Sequence, residues 1–113
     1  MYKIVEEKIK RQKELIRKAK DYVKELSAKL EIVEAYVIGS VARGDFNDGS
    51  DIDVVIIARN LPKHPLDRMK LLYENIPALI EPKAYTEQEF SKLLQKGNPI
   101  VIECNKIGIK VYP

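Results

Sequence analysis

The sequence predicts an α/β domain in which helices pack over a small sheet. Three observations point there. Apolar residues recur at alternating spacings of three and four through the first thirty residues, the period of a helix face. Two short strand-like runs follow, Val33 to Ile38 ending in Gly39-Ser40, and Val54 to Ile57 directly after Asp53, the latter apolar throughout as a strand buried on both faces is. Capping sequences then reappear at Thr86-Glu87-Gln88-Glu89 and Asn98-Pro99, so helical and extended segments alternate along the chain.

Taken in order, residues 1–30 form an N-terminal helix with Val5, Ile9, Ile16, Ala19, Val23, Leu26 and Leu30 on one stripe, widened by Ile4, Leu15 and Tyr22. At 1.5 Å per residue a helix of about 26 residues runs about 39 Å. A compact chain of this length has a radius of gyration near 13 Å, so the helix is expected to overhang or fray at its start. The stripe packs on the sheet; its alternative use is a coiled-coil seam in a homo-oligomeric scaffold. Val33 to Ile38 is the first strand, residues 41–44 allow one helical turn, and Asp45 to Ser50 is a loop with an Asp48-Gly49 turn. Asp51 to Ala58 is the second strand.

Pro65 opens a helix expected to carry Leu66, Met69, Leu72 and Tyr73 inward. Ala78 to Tyr85 suggests a third strand, weakened by Pro82. The capping box at Thr86 starts a helix with Phe90, Leu93 and Leu94, which Gly97 ends. Asn98-Pro99 reads as another helix start, although Ile100 to Ile102 suits a strand equally well. Ile107 to Tyr112 closes the chain as a strand. The expected organisation is one domain over 1–113, the helix at 1–30 and an α/β core at 33–113.

Composition narrows the function classes. The chain has 113 residues, 33% charged and 45% hydrophobic, and a formal net charge of +3. That balance is globular and too mild to argue for nucleic acid as a partner. The Tyr residues show no stacking-platform spacing. Cys104 is the one cysteine, which excludes an internal disulfide and a Cys-based zinc site; a reducing compartment is expected. No apolar run approaches the roughly 18 residues of a membrane helix, and MYKIVEEKIK lacks the apolar segment of a signal peptide, so the cytoplasm is the expected location. His64 reads as a surface residue at the start of a helix, and Cys104 as core.

The chemistry concentrates in residues 39–53, GSVARGDFNDGSDID. Asp is poorly suited to strands, yet Asp51 and Asp53 head an apolar one. Two apart on a strand, they share a face. Carboxylates about 6.5 Å apart repel by roughly 2.5 kcal/mol at an effective dielectric of 20, and a divalent cation reverses that sign. Mg²⁺ takes oxygen ligands and keeps waters and substrate phosphates in its shell. Paired metals can serve in-line phosphoryl transfer. A glycine at a strand-to-helix turn, Gly39, lets backbone N–H groups approach a phosphate, and the Ser40 hydroxyl can donate to one. Arg43 can meet phosphate charge one turn along, and Ser50 can donate beside the acidic pair. Simpler uses compete: Ser40 as a helix N-cap, Arg43 paired with Asp45, the acids as a solvated strand end.

No GxxxxGK[ST] and no GxGxxG occurs. Asp45-x-Asn47-x-Gly49 has its glycine one place too early for a calcium loop, and Ile56 stands where the bidentate Glu belongs.

Gly39-Ser40, ten residues, then Asp51-x-Asp53 resembles the signature of the DNA polymerase beta-like nucleotidyltransferase superfamily, and GSVARGDFNDGSDIDVVI resembles its minimal nucleotidyltransferase (MNT) family. The likeness extends to TEQEFSKLL and the terminal GIKVY. It implies the polymerase beta-like fold, a small mixed sheet with helices packed on it, without the larger enzymes' substrate-binding domains. It also implies a nucleoside triphosphate donor, usually ATP, bound with Mg²⁺, and a nucleotidyl group passed to an acceptor hydroxyl. Gly39 and Ser40 would hold phosphates and Asp51 and Asp53 the metals. The third carboxylate of the family falls on Glu81, four residues before Tyr85-Thr86, where aspartate is commoner and where Pro82 follows. Many relatives act as antitoxins beside a helical HEPN partner that accepts AMP. The alternative expectation is a partner-neutralising regulatory module with weak nucleotide binding.

Overall fold

A computed structural model describes residues 2–113. The elements are α1 (Tyr2–Leu26), β1 (Ile32–Ile38), α2 (Gly39–Arg43), β2 (Ile52–Ala58), α3 (Pro65–Tyr73), β3 (Ile80–Thr86), α4 (Glu87–Gln95), α5 (Pro99–Ile107) and β4 (Ile109–Tyr112). They follow the expected alternation. The sheet runs β3-β2-β1-β4 and is mixed: β1 is antiparallel to both β2 and β4, and β2 is parallel to β3. The parallel pair is joined by α3, the crossover that parallel strands require. Among the described residues β3 pairs only with β2, and an edge strand tolerates Pro82, which has no N–H to donate.

Strand alternation divides the core in two. Ala35 and Val37 of β1 and Ile52, Val54 and Ile56 of β2 meet Leu15, Ala19, Val23 and Leu26 of α1. On the other face Ile38, Val55 and Cys104 form a smaller cluster with Tyr36, Tyr85, Phe90 and Ile100 from the neighbouring strands and α4 and α5. Cys104 is core, as expected. Burial first, then the charges of Glu34 and Glu103, push its thiol up to about 11.

The overhang is present. α1 buries nothing before Leu15, Tyr2 is 87% exposed, and the molecule measures 48 Å along its longest axis for a radius of gyration of 14.4 Å. Gln12 Nε2 donates to the Val41 carbonyl at 2.7 Å. Lys8 Nζ donates to the Phe46 carbonyl and sits 4.2 Å from the centre of the Phe46 ring. These contacts tie α1 to α2 and to the loop after it.

Leu66, Met69 and Tyr73 do not turn inward; Leu66 is 61% exposed, and Leu72 alone among the α3 residues is buried. The inward stripe is Arg68, Leu71 and Leu72, one residue out of phase. Arg68 causes the rotation: its Nε donates to the Pro62 carbonyl, and its two Nη groups grip Glu89 at 2.8 and 3.1 Å. The ambiguity after Asn98 resolves as helix, because Asn98 Oδ1 accepts from the N–H groups of Ile100 and Val101 and Pro99 needs no donor there. The last strand accordingly begins at Ile109 rather than Ile107. His64 caps α3, its Nδ1 accepting from the Leu66 N–H.

Glu89 also completes the capping box, accepting from the Thr86 N–H at 2.8 Å while Thr86 Oγ1 accepts from the Glu89 N–H at 3.1 Å. Hydrogen bonds from Arg68 hold its carboxyl below the ordinary range, with the Thr86 N–H assisting and partial burial opposing. A depressed folded-state pKa gives stability that is complete above the unfolded value, 4.5 for this group, and lost as pH falls through the lower folded value. Arg68→Met should therefore destabilise the chain at pH 7 and progressively less as pH is taken below 4.5. Urea melts of both forms across that window measure it; a gap independent of pH would show that the charge pair is not its source.

Candidate active site

β1 ends at Ile38 in extended backbone, with φ −124° and ψ −173°, and Gly39 turns the chain into α2 with φ +75°. Ile38 pairs with Asp53 across β1 and β2, and Asp53 pairs with Glu81 across β2 and β3. The strand-to-helix turn and the two carboxyl residues therefore lie side by side at one level of the sheet. Contact is close: a Cβ on Gly39 would run into Asp53 Oδ2. A larger residue there would have to adopt a left-handed backbone and displace the Asp53 carboxylate.

Asp51 is exposed, two residues earlier and just outside β2, while Ile52 between the acids is fully buried in the α1-side core. Lys83, two residues beyond Glu81 and on its face, sits between the remaining acids. Its Nζ is 3.5 Å from Asp53 Oδ1 and 3.7 Å from Glu81 Oε1.

Ser40 is the second residue of α2, so it is not the N-cap; Ile38 occupies that place and makes no side-chain cap bond. The Ser40 carbonyl accepts from the Gly44 and Asp45 N–H groups at 2.9 and 3.1 Å. Arg43 does pair with Asp45, Nε to Oδ2 at 3.3 Å, but Nη1 also lies 3.6 Å from Glu103 Oε1 on α5. Glu103 Oε2 in turn accepts from the Gly39 N–H at 2.6 Å. The Ser50 hydroxyl is spent on its own loop, accepting from the Asn47 N–H at 2.9 Å and donating to Asn47 Oδ1 at 3.2 Å. Gly39, Asp53 and Glu81 thus come together, Ser40 and Arg43 lie along the same turn, Asp51 stands at the edge, and Ser50 supports the loop leading to Asp51.

Two participants escaped the sequence reading. Lys83 carried a signal, since its spacing from Glu81 puts both on one face of a strand. Glu103 carried none: it meets Gly39 from 64 residues away.

Among the described residues, no three His, Cys, Asp or Glu side chains converge tightly enough to enclose a metal ion. The donor chemistry nevertheless fits a hard divalent cation. Asp51, Asp53 and Glu81 offer only carboxylate oxygens, and the Lys83 ammonium already places positive charge between two of them.

Residues 16–110 match a family model described as a nucleotidyltransferase domain. A relative from Methanocaldococcus jannaschii, named "Putative protein adenylyltransferase", is 30% identical over 57% of this chain and 52% of its own length. The match thus spans about half of that relative. A crystal structure from Sulfolobus solfataricus, described as "a putative nucleotidyltransferase", superposes with a TM-score of 0.68 at 25% identity, covering 91% of this chain and 84% of that one. No helix among the described residues is long and apolar enough to cross a membrane.

Proposed function

The chain belongs to the nucleotidyltransferase domain family, and on that premise we propose that it transfers AMP from MgATP to a hydroxyl on a protein partner. The observation that carries this reading is the packing of Asp53 against the Gly39 turn with Glu81 in register beside it. Anion donors and metal-type ligands meet there within a few ångströms, as a metal-bound polyphosphate requires.

In this reading Gly39 offers its N–H to a phosphate oxygen, the Ser40 hydroxyl donates to another, and Arg43 offsets phosphate charge. Asp51 and Asp53 hold Mg²⁺, with Glu81 as the third carboxylate. When bound, the metal supplies charge stabilisation and orientation to the phosphates. The acceptor oxygen attacks the α-phosphorus in line, the bond to the β-phosphate oxygen breaks, and pyrophosphate leaves. Glu81 is half exposed at the edge strand, where it can take the acceptor's proton. Lys83 balances Asp53 and Glu81 and limits their repulsion while the nucleotide is absent. Ser50 serves by holding the loop before Asp51.

The partner we propose is a helical HEPN-type protein, neutralised by modification, with this chain as the antitoxin-type subunit. Support comes from the MNT-like motif and from the M. jannaschii relative, whose name specifies a protein acceptor.

Incubating the chain with Mg²⁺, ATP labelled at the α-phosphate and the product of an adjacent helical reading frame should label that product. Chelation should abolish the label, and so should Asp51→Asn with Asp53→Asn. A double variant that neutralises the partner as well as the parent, with no label in either case, would instead make the chain a binding module.

A further inference from the structure

Glu103 occupies the donors that an incoming phosphate would need. Its Oε2 accepts from the Gly39 N–H at 2.6 Å, and its Oε1 lies 3.6 Å from Arg43 Nη1. One carboxylate therefore bridges a backbone donor and a guanidinium much as a phosphate does, and the bond to Gly39 is short in the manner of charge-assisted hydrogen bonds. From this geometry we propose that Glu103 is an internal competitor for the triphosphate, an affinity-determining residue that must swing away before nucleotide can bind; the inference rests on the phosphate role given above to Gly39 and Arg43.

The fold makes such a swing feasible. α5 is held by the buried Val101 and Cys104 on either side of Glu103 and by the Asn98 cap at its start. The Glu103 side chain itself is 31% exposed. It can rotate toward solvent while the helix stays in place. Arg43 retains Asp45 as a second partner, at 3.3 Å, so it is not stranded when Glu103 leaves. With the site empty, the carboxylate satisfies an N–H that would otherwise go unpaired at the turn. With polyphosphate present, two anions contend for the same donors, and apparent affinity falls by the fraction of molecules whose cradle is open.

The competition also discriminates among ligands. A weakly charged anion gains little by displacing a carboxylate already in place. A polyphosphate that brings its own divalent cation gains contacts to Asp51 and Asp53 that Glu103 cannot make.

The test uses the intact chain, labelled with ¹⁵N, and Mg²⁺-tripolyphosphate as probe. Binding is measured by calorimetry and by the Gly39 amide resonance. Glu103→Gln, which removes the charge and keeps the shape, is expected to bind about tenfold more tightly than the parent, with the Gly39 resonance moving on titration. Glu103→Ala, read in parallel so that the outcome does not hang on how one variant folds, should bind at least as tightly as Glu103→Gln. Equal or weaker binding in both variants would overturn the competitor role and leave Glu103 as a positioning residue for Arg43. A Gly39 resonance that ignores the probe in every form would overturn it too. Tighter binding without any AMP transfer would sink the proposed activity but leave this inference standing. Transfer with unaltered affinities would do the reverse.

Discussion

Asp53→Asn is expected to lower AMP transfer about a thousandfold, equivalent to roughly 4 kcal/mol in the barrier, with little change in stability. The two halves of that expectation have different origins. Asp53 is the one acid in contact with both sides of the site: Oδ2 faces the Gly39 turn, and Oδ1 lies 3.5 Å from Lys83. An amide has the same shape but lacks the charge that makes a carboxylate a good ligand for a hard cation. Removing it also leaves the Lys83 ammonium with Glu81 alone, at 3.7 Å. Positive charge is then less well compensated where Mg²⁺ would enter. Folding depends on Asp53 far less. Its pairing with Lys83 is partly solvated, and such pairs contribute on the order of 1 kcal/mol or less, while Asn can still accept a hydrogen bond. Initial rates of label transfer, set beside thermal melts of the same preparations, separate the effects. A variant that keeps more than a tenth of the parent's rate would remove Asp53 from the metal site.

Much of this arrangement could be read before the fold was seen, and the exceptions share a cause. The strands announced themselves because Val, Ile and Ala crowd two short segments between turn residues, and α4 because its cap is local: Thr86 and Glu89 are three residues apart. The approach of Gly39 to Asp53 likewise lies within a short window of sequence. What stayed hidden depends on distant partners. α3 is rotated by Arg68, whose partner Glu89 lies 21 residues on; by pattern alone Leu66, Met69 and Tyr73 made the better buried face. The rival use of Ser40 as a helix cap fails because the helix already begins at the left-handed Gly39. Sheet order decided Lys83. The parallel pairing of β2 with β3 brings its ammonium to Asp53 as well as to Glu81, and strand patterns do not reveal which strands are neighbours.

Gly39→Ala tests the turn itself. It is expected to cost about 1.5–3.5 kcal/mol of stability, from two sources that a double-mutant cycle can separate. One is backbone conformation: φ of +75° is left-handed, which costs a residue bearing a Cβ roughly 1–2 kcal/mol. The other is collision. The new methyl would meet Asp53 Oδ2, and pushing that partly exposed carboxylate off its rotamer costs about 0.5–1.5 kcal/mol more. Combining Gly39→Ala with Asp53→Ala removes the second source and leaves the first. The double variant should therefore be more stable than the two single losses add up to, by about 0.5–1.5 kcal/mol, in urea denaturation at pH 7. Transfer should fall in Gly39→Ala further than stability alone explains, because the side chain that gives way is a proposed metal ligand, and small misplacements of a reacting group can cost about a hundredfold. Strict additivity would assign the whole cost to the backbone. Asp53 would then not be seated against the turn, and the close juxtaposition of phosphate donor and metal ligand would have no energetic basis.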